Sequence, residues 1–162
     1  MVYKLTTKLK NMIESGVTIT DNAEFIGEGA FRQAYAFGED HSFVVKIPHQ
    51  SGYLASEVNI EHQLNEIRIW QKLPDVVRHF FVPVVDYDSN GRWLVMPRVL
   101  SKELDTAVKN HIVDKVNRKL LKYGVIVHDV HTGNVGLDKN KNPVILDYGM
   151  GCEVNGVKLN GI

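Results

Sequence analysis

The sequence predicts an α+β fold in which an antiparallel sheet of five strands with one helix precedes a mainly helical part. Two patterns indicate this fold. Short runs of β-branched and aromatic residues, broken by glycine turns, occupy residues 23–48 and 81–96. Apolar residues at helical spacing lie before, between and after these runs. Because consecutive short strands normally pair as an antiparallel meander, we expect neighbouring segments to form the sheet.

The first half of the chain supplies the sheet. A helix is predicted over residues 3–15, with Gly16 as its end, and a second helix is predicted around Ile60 and Leu64. The five predicted strands are Glu24–Gly27, Arg32–Phe37, Ser42–Ile47, Phe81–Tyr87 and Arg92–Met96.

The second half supplies one long helix and a hairpin. Ser101 is a candidate N-cap for a helix whose apolar row extends from Leu104 to Leu120. Val135–Leu137 and Val144–Leu146 flank a polar turn, which predicts a β-hairpin.

Composition is that of a soluble globular domain. The 162 residues include 19 Lys and Arg and 19 Asp and Glu, so the formal net charge is zero. Zero net charge argues against a nucleic-acid partner, since proteins that bind nucleic acids neutralise phosphates with an excess of Lys and Arg.

The sequence shows no sign of a membrane or secreted protein. No run approaches the ~20 apolar residues of a membrane span, no secretory signal is visible, and the single Cys152 cannot form an internal disulfide. We therefore expect a cytoplasmic protein, in its own cell or in the cytosol of a host, with no membrane partner.

The turn Gly27-Glu28-Gly29, between two predicted strands, is a candidate phosphate-binding turn. Closely spaced glycines let backbone N–H groups approach a phosphate, although such a turn usually only connects two strands. Lys46, on the third strand, is either an edge lysine or a phosphate ligand. The second interpretation requires that Lys46 lie near the turn and near an acidic partner.

The acidic partner of Lys46 is expected on the helix that follows. Glu66 is the candidate, and Glu57 and Glu61 on the same helix are the alternatives. Taken singly, each is most simply a solvated helix glutamate.

The second half contains a pattern typical of phosphoryl transfer. Asp129 and Asn134 are five residues apart in a loop after a helix, and Asp147-Tyr148-Gly149 follows the predicted hairpin. One carboxylate near an acceptor hydroxyl, with an amide and a second carboxylate on Mg²⁺, is what this chemistry needs. The alternative is that these are loop aspartates suited to turns.

In this order the elements resemble the protein kinase-like superfamily, with its glycine-rich loop, strand lysine, helix glutamate, Asp-x₄-Asn loop and Asp-Phe-Gly segment. The resemblance covers about residues 22–151. It implies a bilobal fold with an N-terminal helix in residues 1–20, an N-lobe in residues 21–97 and a truncated C-lobe in residues 98–162.

The resemblance implies ATP and Mg²⁺ as cofactors and gives each matching residue a role. By this resemblance, Gly27, Glu28 and Gly29 would cover the phosphates, and Lys46, oriented by Glu66, would contact them. Met96 and Val99 would contact adenine. Asp129 would accept the proton of the acceptor hydroxyl, and Asn134 and Asp147 would bind Mg²⁺.

Departures from the superfamily pattern also bear on function. Residues 127–129 read Val-His-Asp, without the Arg that commonly pairs with a phosphorylated activation segment. His131 resembles the Asp-x-His of aminoglycoside- and choline-kinase-like phosphotransferases. Val44 and Gly136 replace a common Ala and a bulky residue, which we interpret as an exchange of volume across the purine. Only 13 residues follow Gly149, as in minimal effector kinases of bacterial pathogens and some phage kinases.

We expect a minimal kinase that transfers the γ-phosphate of ATP to a protein Ser or Thr hydroxyl. One alternative is a catalytically weak nucleotide-binding scaffold, favoured by Val44 and Gly136. Another is a small-molecule phosphotransferase, favoured by His131. We also expect a monomer that meets a protein substrate or an activating partner.

Overall fold

The computed structural model describes residues 7–15, 23–49 and 53–160. The predicted N-terminal helix is present as α1, Thr7–Glu14. The parts of that prediction that fall on residues 1–6 and 16–20 lie outside the described residues.

The chain divides into two compact units, each built from two stretches of sequence. The stretches of the first unit are Met1–Leu64 and Val84–Arg98, and those of the second are Asn65–Pro83 and Val99–Ile162. The second helix, α2 (Tyr53–Lys72), contributes residues to both.

An antiparallel sheet of five strands forms the first unit, as predicted, in the order β1-β2-β3-β5-β4. The strands are β1 (Glu24–Glu28), β2 (Arg32–Phe37), β3 (Phe43–Pro48), β4 (Asp86–Tyr87) and β5 (Leu94–Pro97). Strand β3 is central, because Lys46 pairs with Ala34 on one side and with Leu94 on the other. Residues of α1 and of the strands, with Ala23 and Trp93 beside the strands, form one hydrophobic core: Leu9, Ile13, Ala23, Tyr35, Phe37, Val45, Trp93 and Val95.

The predicted strand over residues 81–87 is wrong for most of its length. Only Asp86–Tyr87 forms a strand, while Phe81 makes an isolated parallel bridge to Ile145 in the second unit. Pro83 lacks the N–H that a continuous ladder requires. The preceding Val82 N–H donates to the Ile145 carbonyl, at 2.9 Å.

The second unit combines helices with short strands. Its elements are α3 (Asp75–Arg78), α4 (Thr106–Leu121), β6 (Val125–Val127), β7 (Val135–Leu137), β8 (Pro143–Ile145), β9 (Cys152–Val154) and β10 (Val157–Lys158). The order β10-β9-β6 makes one sheet, and β7 with β8 makes the predicted hairpin. No helix within the described ranges is long and apolar enough to cross a membrane.

Asp105, rather than the predicted Ser101, caps helix α4. The Asp105 carboxylate accepts the Val108 N–H at 2.8 Å. Ser101 lies too far before the first turn to reach its N–H groups, and its hydroxyl donates to the Val135 carbonyl at 2.8 Å. The predicted apolar row is confirmed at its later positions, the buried Ile112, Val116 and Leu120. It is wrong at its start, because Val108 is exposed and Leu104 precedes the helix.

Candidate active site

The glycine turn connects β1 and β2 in the first unit. A β-bulge falls between Phe25 and Gly27, and such bulges often re-aim backbone beside functional sites. The Gly29 N–H donates to the Arg32 carbonyl at 2.9 Å, and the Gly29 carbonyl accepts from His49 Nε2 at 2.8 Å. Glu28 and Gly29 are exposed, as a phosphate-binding turn must be, while Gly27 is half-buried within β1.

Lys46 is buried on the central strand of the first unit, with 7% of its surface exposed. This position excludes the edge-lysine interpretation, because β3 has a strand on each side. A buried ammonium is costly without compensating groups, so its place here indicates a specific role. The Lys46 carbonyl accepts a hydrogen bond from Gln63 Nε2 at 3.2 Å.

The segment predicted to meet adenine runs from Met96 to Val99. Met96 is buried on β5, where it pairs with Val44. The Arg98 N–H donates to the Ser42 carbonyl, and the Leu100 N–H donates to the Leu137 carbonyl. Between them, the Val99 N–H has no backbone partner among the described residues, so it remains available to a ligand.

Glu66 differs sharply from the two alternative glutamates. It is fully buried in the second unit, and its Oε1 accepts the Tyr148 N–H at 3.1 Å. Glu57 and Glu61 are exposed. Burial of a carboxylate is costly unless it is hydrogen-bonded or paired, so Glu66 is the structurally distinctive member of the three. The pairing of Glu66 with Lys46 stays a prediction.

In the second unit, the loop after β6 brings Asp129 and Asn134 together. Asp129 has a left-handed backbone, with φ of 63°, which short polar residues tolerate and which often marks functional sites. The Asn134 Nδ2 donates to the Asp129 carbonyl at 3.0 Å. This bond commits the amide nitrogen of Asn134, so its oxygen is the atom that can face a cation.

Asp147 lies beside Asn134 because of the β7–β8 hairpin. The ladder extends beyond the Val135–Ile145 pair, since the Leu146 N–H donates to the Asn134 carbonyl at 2.9 Å. Asp147 is the next residue along the chain. The hairpin therefore gathers the two predicted metal ligands at one end, with Asp129 tied to the same loop.

Tyr148 anchors the segment that carries Asp147. Its ring is fully buried, its hydroxyl donates to the Val82 carbonyl at 2.9 Å, and it packs edge-on against Phe81 at 5.2 Å between ring centroids. These contacts hold the Tyr148 side chain in place, which restricts the position of the neighbouring Asp147.

The donor set fits Mg²⁺ better than a transition metal. Asn134 and Asp147 offer oxygen atoms, which hard cations prefer, and Mg²⁺ usually takes only one or two protein ligands plus water and phosphate. Within the part of the chain that the structure describes, no group of three or more His, Cys, Asp or Glu side chains could hold a metal by itself.

His131 begins the short 3₁₀ turn Thr132–Asn134. Its Nδ1 accepts the Gly133 N–H at 3.0 Å, so the ring proton of the neutral form lies on Nε2. That Nε2 is 3.8 Å from Asp129 Oδ2, close enough for electrostatic attraction but too far for a hydrogen bond.

The structure explains the glycine at position 136 by a steric constraint, and not by the predicted exchange of volume across the purine. A Cβ at this position would lie 2.5 Å from the Leu100 carbonyl oxygen and 3.1 Å from Val99 Cγ2. Glycine is required here because the backbone at Leu100 comes so close to β7.

Sequence reasoning missed two features near the predicted site residues. His128 Nε2 lies 3.1 Å from Glu153 Oε1, which ties the residue before Asp129 to β9. Gln63 is fully buried and hydrogen-bonded to Arg32. In the sequence, Gln63 lies three residues before Glu66, which places both on one face of the helix. The polarity of glutamine by itself would indicate a solvent-exposed position.

Residues 33–158 match the family described as the ABC1 atypical kinase-like domain. The chain belongs to this family. Membership of the ABC1 atypical kinase-like family confirms the predicted relation to the protein kinase-like superfamily. No curated protein matches the chain.

Solved structures similar to this ABC1-like chain include those of WbdD, a bifunctional kinase-methyltransferase. One WbdD structure matches with a TM-score of 0.55 and 22% identity, over 76% of this chain and 30% of that chain. A crystal structure of WbdD matches with a TM-score of 0.56 and 22% identity over 80% of this chain. A co-crystal structure of WbdD with the kinase inhibitor LY294002 matches with a TM-score of 0.54, at 22% identity over 80% of this chain. The chain spans about a third of those chains, 33% in both. At this identity the likeness shows the fold.

Proposed function

We propose that this chain is an ATP- and Mg²⁺-dependent phosphotransferase. The observation that carries the proposal is the gathering of Asp129, Asn134 and Asp147 in the second unit. Two hydrogen bonds link them: Asn134 Nδ2 to the Asp129 carbonyl at 3.0 Å, and the Leu146 N–H to the Asn134 carbonyl at 2.9 Å. Membership of a kinase-like family supports the same chemistry.

The proposed reaction needs few groups. The acceptor hydroxyl oxygen bonds to the γ-phosphorus while the bond from that phosphorus to the β–γ bridging oxygen breaks, and ADP leaves with the electron pair. Asp129 takes the hydroxyl proton. Asn134 and Asp147 are the residues that would hold Mg²⁺, which when bound would neutralise charge on the phosphate oxygens. Lys46 would contact the α and β phosphates, with Glu66 orienting it.

Adenine and the phosphates have further proposed ligands outside the loop that carries Asp129 and Asn134. The Gly27-Glu28-Gly29 turn, which is exposed at Glu28 and Gly29, would cover the phosphates with backbone N–H groups. The Val99 N–H, without a backbone partner among described residues, would donate to adenine.

We further propose that the acceptor is a Ser or Thr hydroxyl of a protein, met by a monomer of this chain. Helices α3 and α4 are the helices that lie wholly within the described second unit, and neither forms an added subdomain of the kind that encloses a small molecule. A protein acceptor brings its own surface to the site, so it needs no such enclosure.

Labelled ATP tests the reaction directly. We would incubate the protein with γ-labelled ATP, Mg²⁺ and a cell lysate, and compare it with Asp129→Asn, Lys46→Ala and the control Asp75→Asn, whose carboxylate is 95% exposed. Transfer to protein is expected for the wild type and the control, and is expected to be lost in both site variants. Transfer by Asp129→Asn at the wild-type rate would remove the assigned role. Stabilisation by ATP without any transfer would favour the scaffold function instead.

A small-molecule acceptor is the second candidate, and His131 favours it. The Asp129-x-His131 spacing resembles that of aminoglycoside- and choline-kinase-like enzymes, and His131 stabilises the turn before Asn134. Coupled release of ADP, measured across sugar, choline and aminoglycoside acceptors, distinguishes this candidate. Acceptor-dependent ADP release without protein labelling would favour it.

A further inference from the structure

Helix α2 has buried polar side chains where a packed helix normally carries apolar ones. Asn59, His62 and Gln63 are 6%, 6% and 0% exposed, and all three belong to the first unit. Their spacing places them on one face of the helix. Buried polar groups are nearly always hydrogen-bonded, and a set of them in one place requires an explanation.

Gln63 uses both ends of its amide. Its Oε1 accepts from Arg32 NH1 at 3.3 Å, and its Nε2 donates to the carbonyls of Lys46 and Gly91, each at 3.2 Å. Arg32 is the first residue of β2, three positions after Gly29, and it is itself 5% exposed. The Gln63 side chain therefore connects α2 to Arg32, which follows the glycine turn, and to the β3 backbone at Lys46, the proposed phosphate ligand.

A second connection runs through Asn59 and His49. Asn59 Nδ2 donates to the His49 carbonyl at 3.0 Å, and His49 Nε2 donates to the Gly29 carbonyl at 2.8 Å. In addition, the His62 ring stacks on Phe31, with 4.3 Å between ring centroids and 14° between the planes. The end of the glycine turn and the residues that follow it are thus connected to α2.

We propose that Gln63 and His49 are positioning residues that hold the Gly27–Gly29 turn and the Lys46 strand on helix α2. A Cβ added at Gly29 would meet nothing within 4 Å, so no side chain packs against this side of the turn. The hydrogen bonds from α2 and His49 therefore add to the strand pairing of Gly27 and Glu28 in holding the turn. Holding the turn in place before nucleotide arrives lowers the ordering cost of binding phosphates. This inference rests on the proposed nucleotide-binding function.

The test compares two pairs of variants. Gln63→Met removes the hydrogen bonds but keeps the length of the side chain, and Gln71→Met makes the same change at an exposed position of α2. His49→Phe removes the donor to Gly29, and His49→Gln restores one. The readouts are the dissociation constant of a fluorescent ATP analogue well below each melting temperature, and amide hydrogen exchange over residues 27–32 without nucleotide.

We expect Gln63→Met to weaken analogue binding by about tenfold and to speed exchange in the turn, since it removes the donor that Gln63 supplies to the Lys46 and Gly91 carbonyls. His49→Phe should weaken binding by a few-fold, and His49→Gln should recover most of the loss. Gln71→Met should match the wild type.

Failure of this inference is distinguishable from failure of the proposed function. If the wild type does not bind the analogue, the proposed function fails, and exchange over residues 27–32 still tests the positioning. Unchanged exchange and unchanged affinity in Gln63→Met and His49→Phe would overturn the inference. If Gln63→Met does not fold, the His49 pair decides, because His49 is only half-buried.

Discussion

The backbone N–H of Tyr148 donates to Glu66 Oε1 at 3.1 Å, and both residues are fully buried in the second unit. The bond joins residues 82 positions apart, so it fixes the segment after Asp147 on the end of α2. Among three glutamates on that helix, only Glu66 is placed to do this, because Glu57 and Glu61 are exposed.

Glu66→Leu should destabilise the fold more than Glu66→Gln. The Leu variant leaves the buried Tyr148 N–H without a partner, which costs about 1–3 kcal/mol, whereas Gln keeps an oxygen acceptor. Urea unfolding of both variants measures the difference in unfolding free energy, with Glu61→Gln as the exposed control. Equal losses for Leu and Gln would mean that the hydrogen bond contributes nothing.

Gly136→Ala should destabilise the protein, while Gly29→Ala should be tolerated. At Gly136 the added methyl group meets the Leu100 carbonyl oxygen at 2.5 Å, and overpacking of this kind costs about 1–3 kcal/mol. At Gly29 it meets nothing within 4 Å. Thermal melting of the two variants checks the contrast. A wild-type melting temperature for Gly136→Ala would show that Leu100 moves aside freely.

Asp88→Asn should reduce the loss of stability in acid. The carboxylate accepts side-chain hydrogen bonds from Arg92, together with backbone bonds from Arg92 and Asn90, and these hold the pKa of Asp88 below its ordinary value of 3.8 despite its burial. Stability from a carboxylate with a lowered pKa is present above the unfolded value and is lost as pH falls through the folded value. The wild type should therefore lose more unfolding free energy than Asp88→Asn between about pH 5 and pH 2. Urea unfolding across this range measures it, with Asp75→Asn as the control, and parallel curves for wild type and Asp88→Asn would contradict the prediction.

Cys152 should be unreactive in the folded protein. The side chain is fully buried on β9, and burial, with a smaller contribution from the Glu153 charge, raises the pKa of its thiol to about 12. Because the thiolate is the reactive form, a thiol reagent at pH 8 should modify Cys152 only after denaturant is added. Mass spectrometry of the product, with and without denaturant, gives the answer. Rapid modification of the native protein would show that β9 opens readily.

Local pattern predicted the elements whose signals are contained in a short stretch. Arg32–Phe37 and Val135–Leu137 form strands with the predicted bounds, because alternation and flanking turns define them locally. The three-residue strands Val125–Val127 and Cys152–Val154 were not predicted. They pair across a separation of 25 positions at Val127 and Cys152, and nothing in either short segment signals its partner.

The order and chemistry of the candidate site residues were determined by the sequence: a glycine turn, Lys46, an acidic helix residue, Asp129, Asn134 and Asp147. The tertiary structure alone decided which of the three glutamates is buried. It also decided that the Leu100 backbone leaves no room for a side chain at Gly136, and that Gln63 is hydrogen-bonded to both Arg32 and Lys46. The physical reason is that residue type and spacing are local properties of the chain. Burial, steric approach and hydrogen bonding depend on segments that meet only after folding.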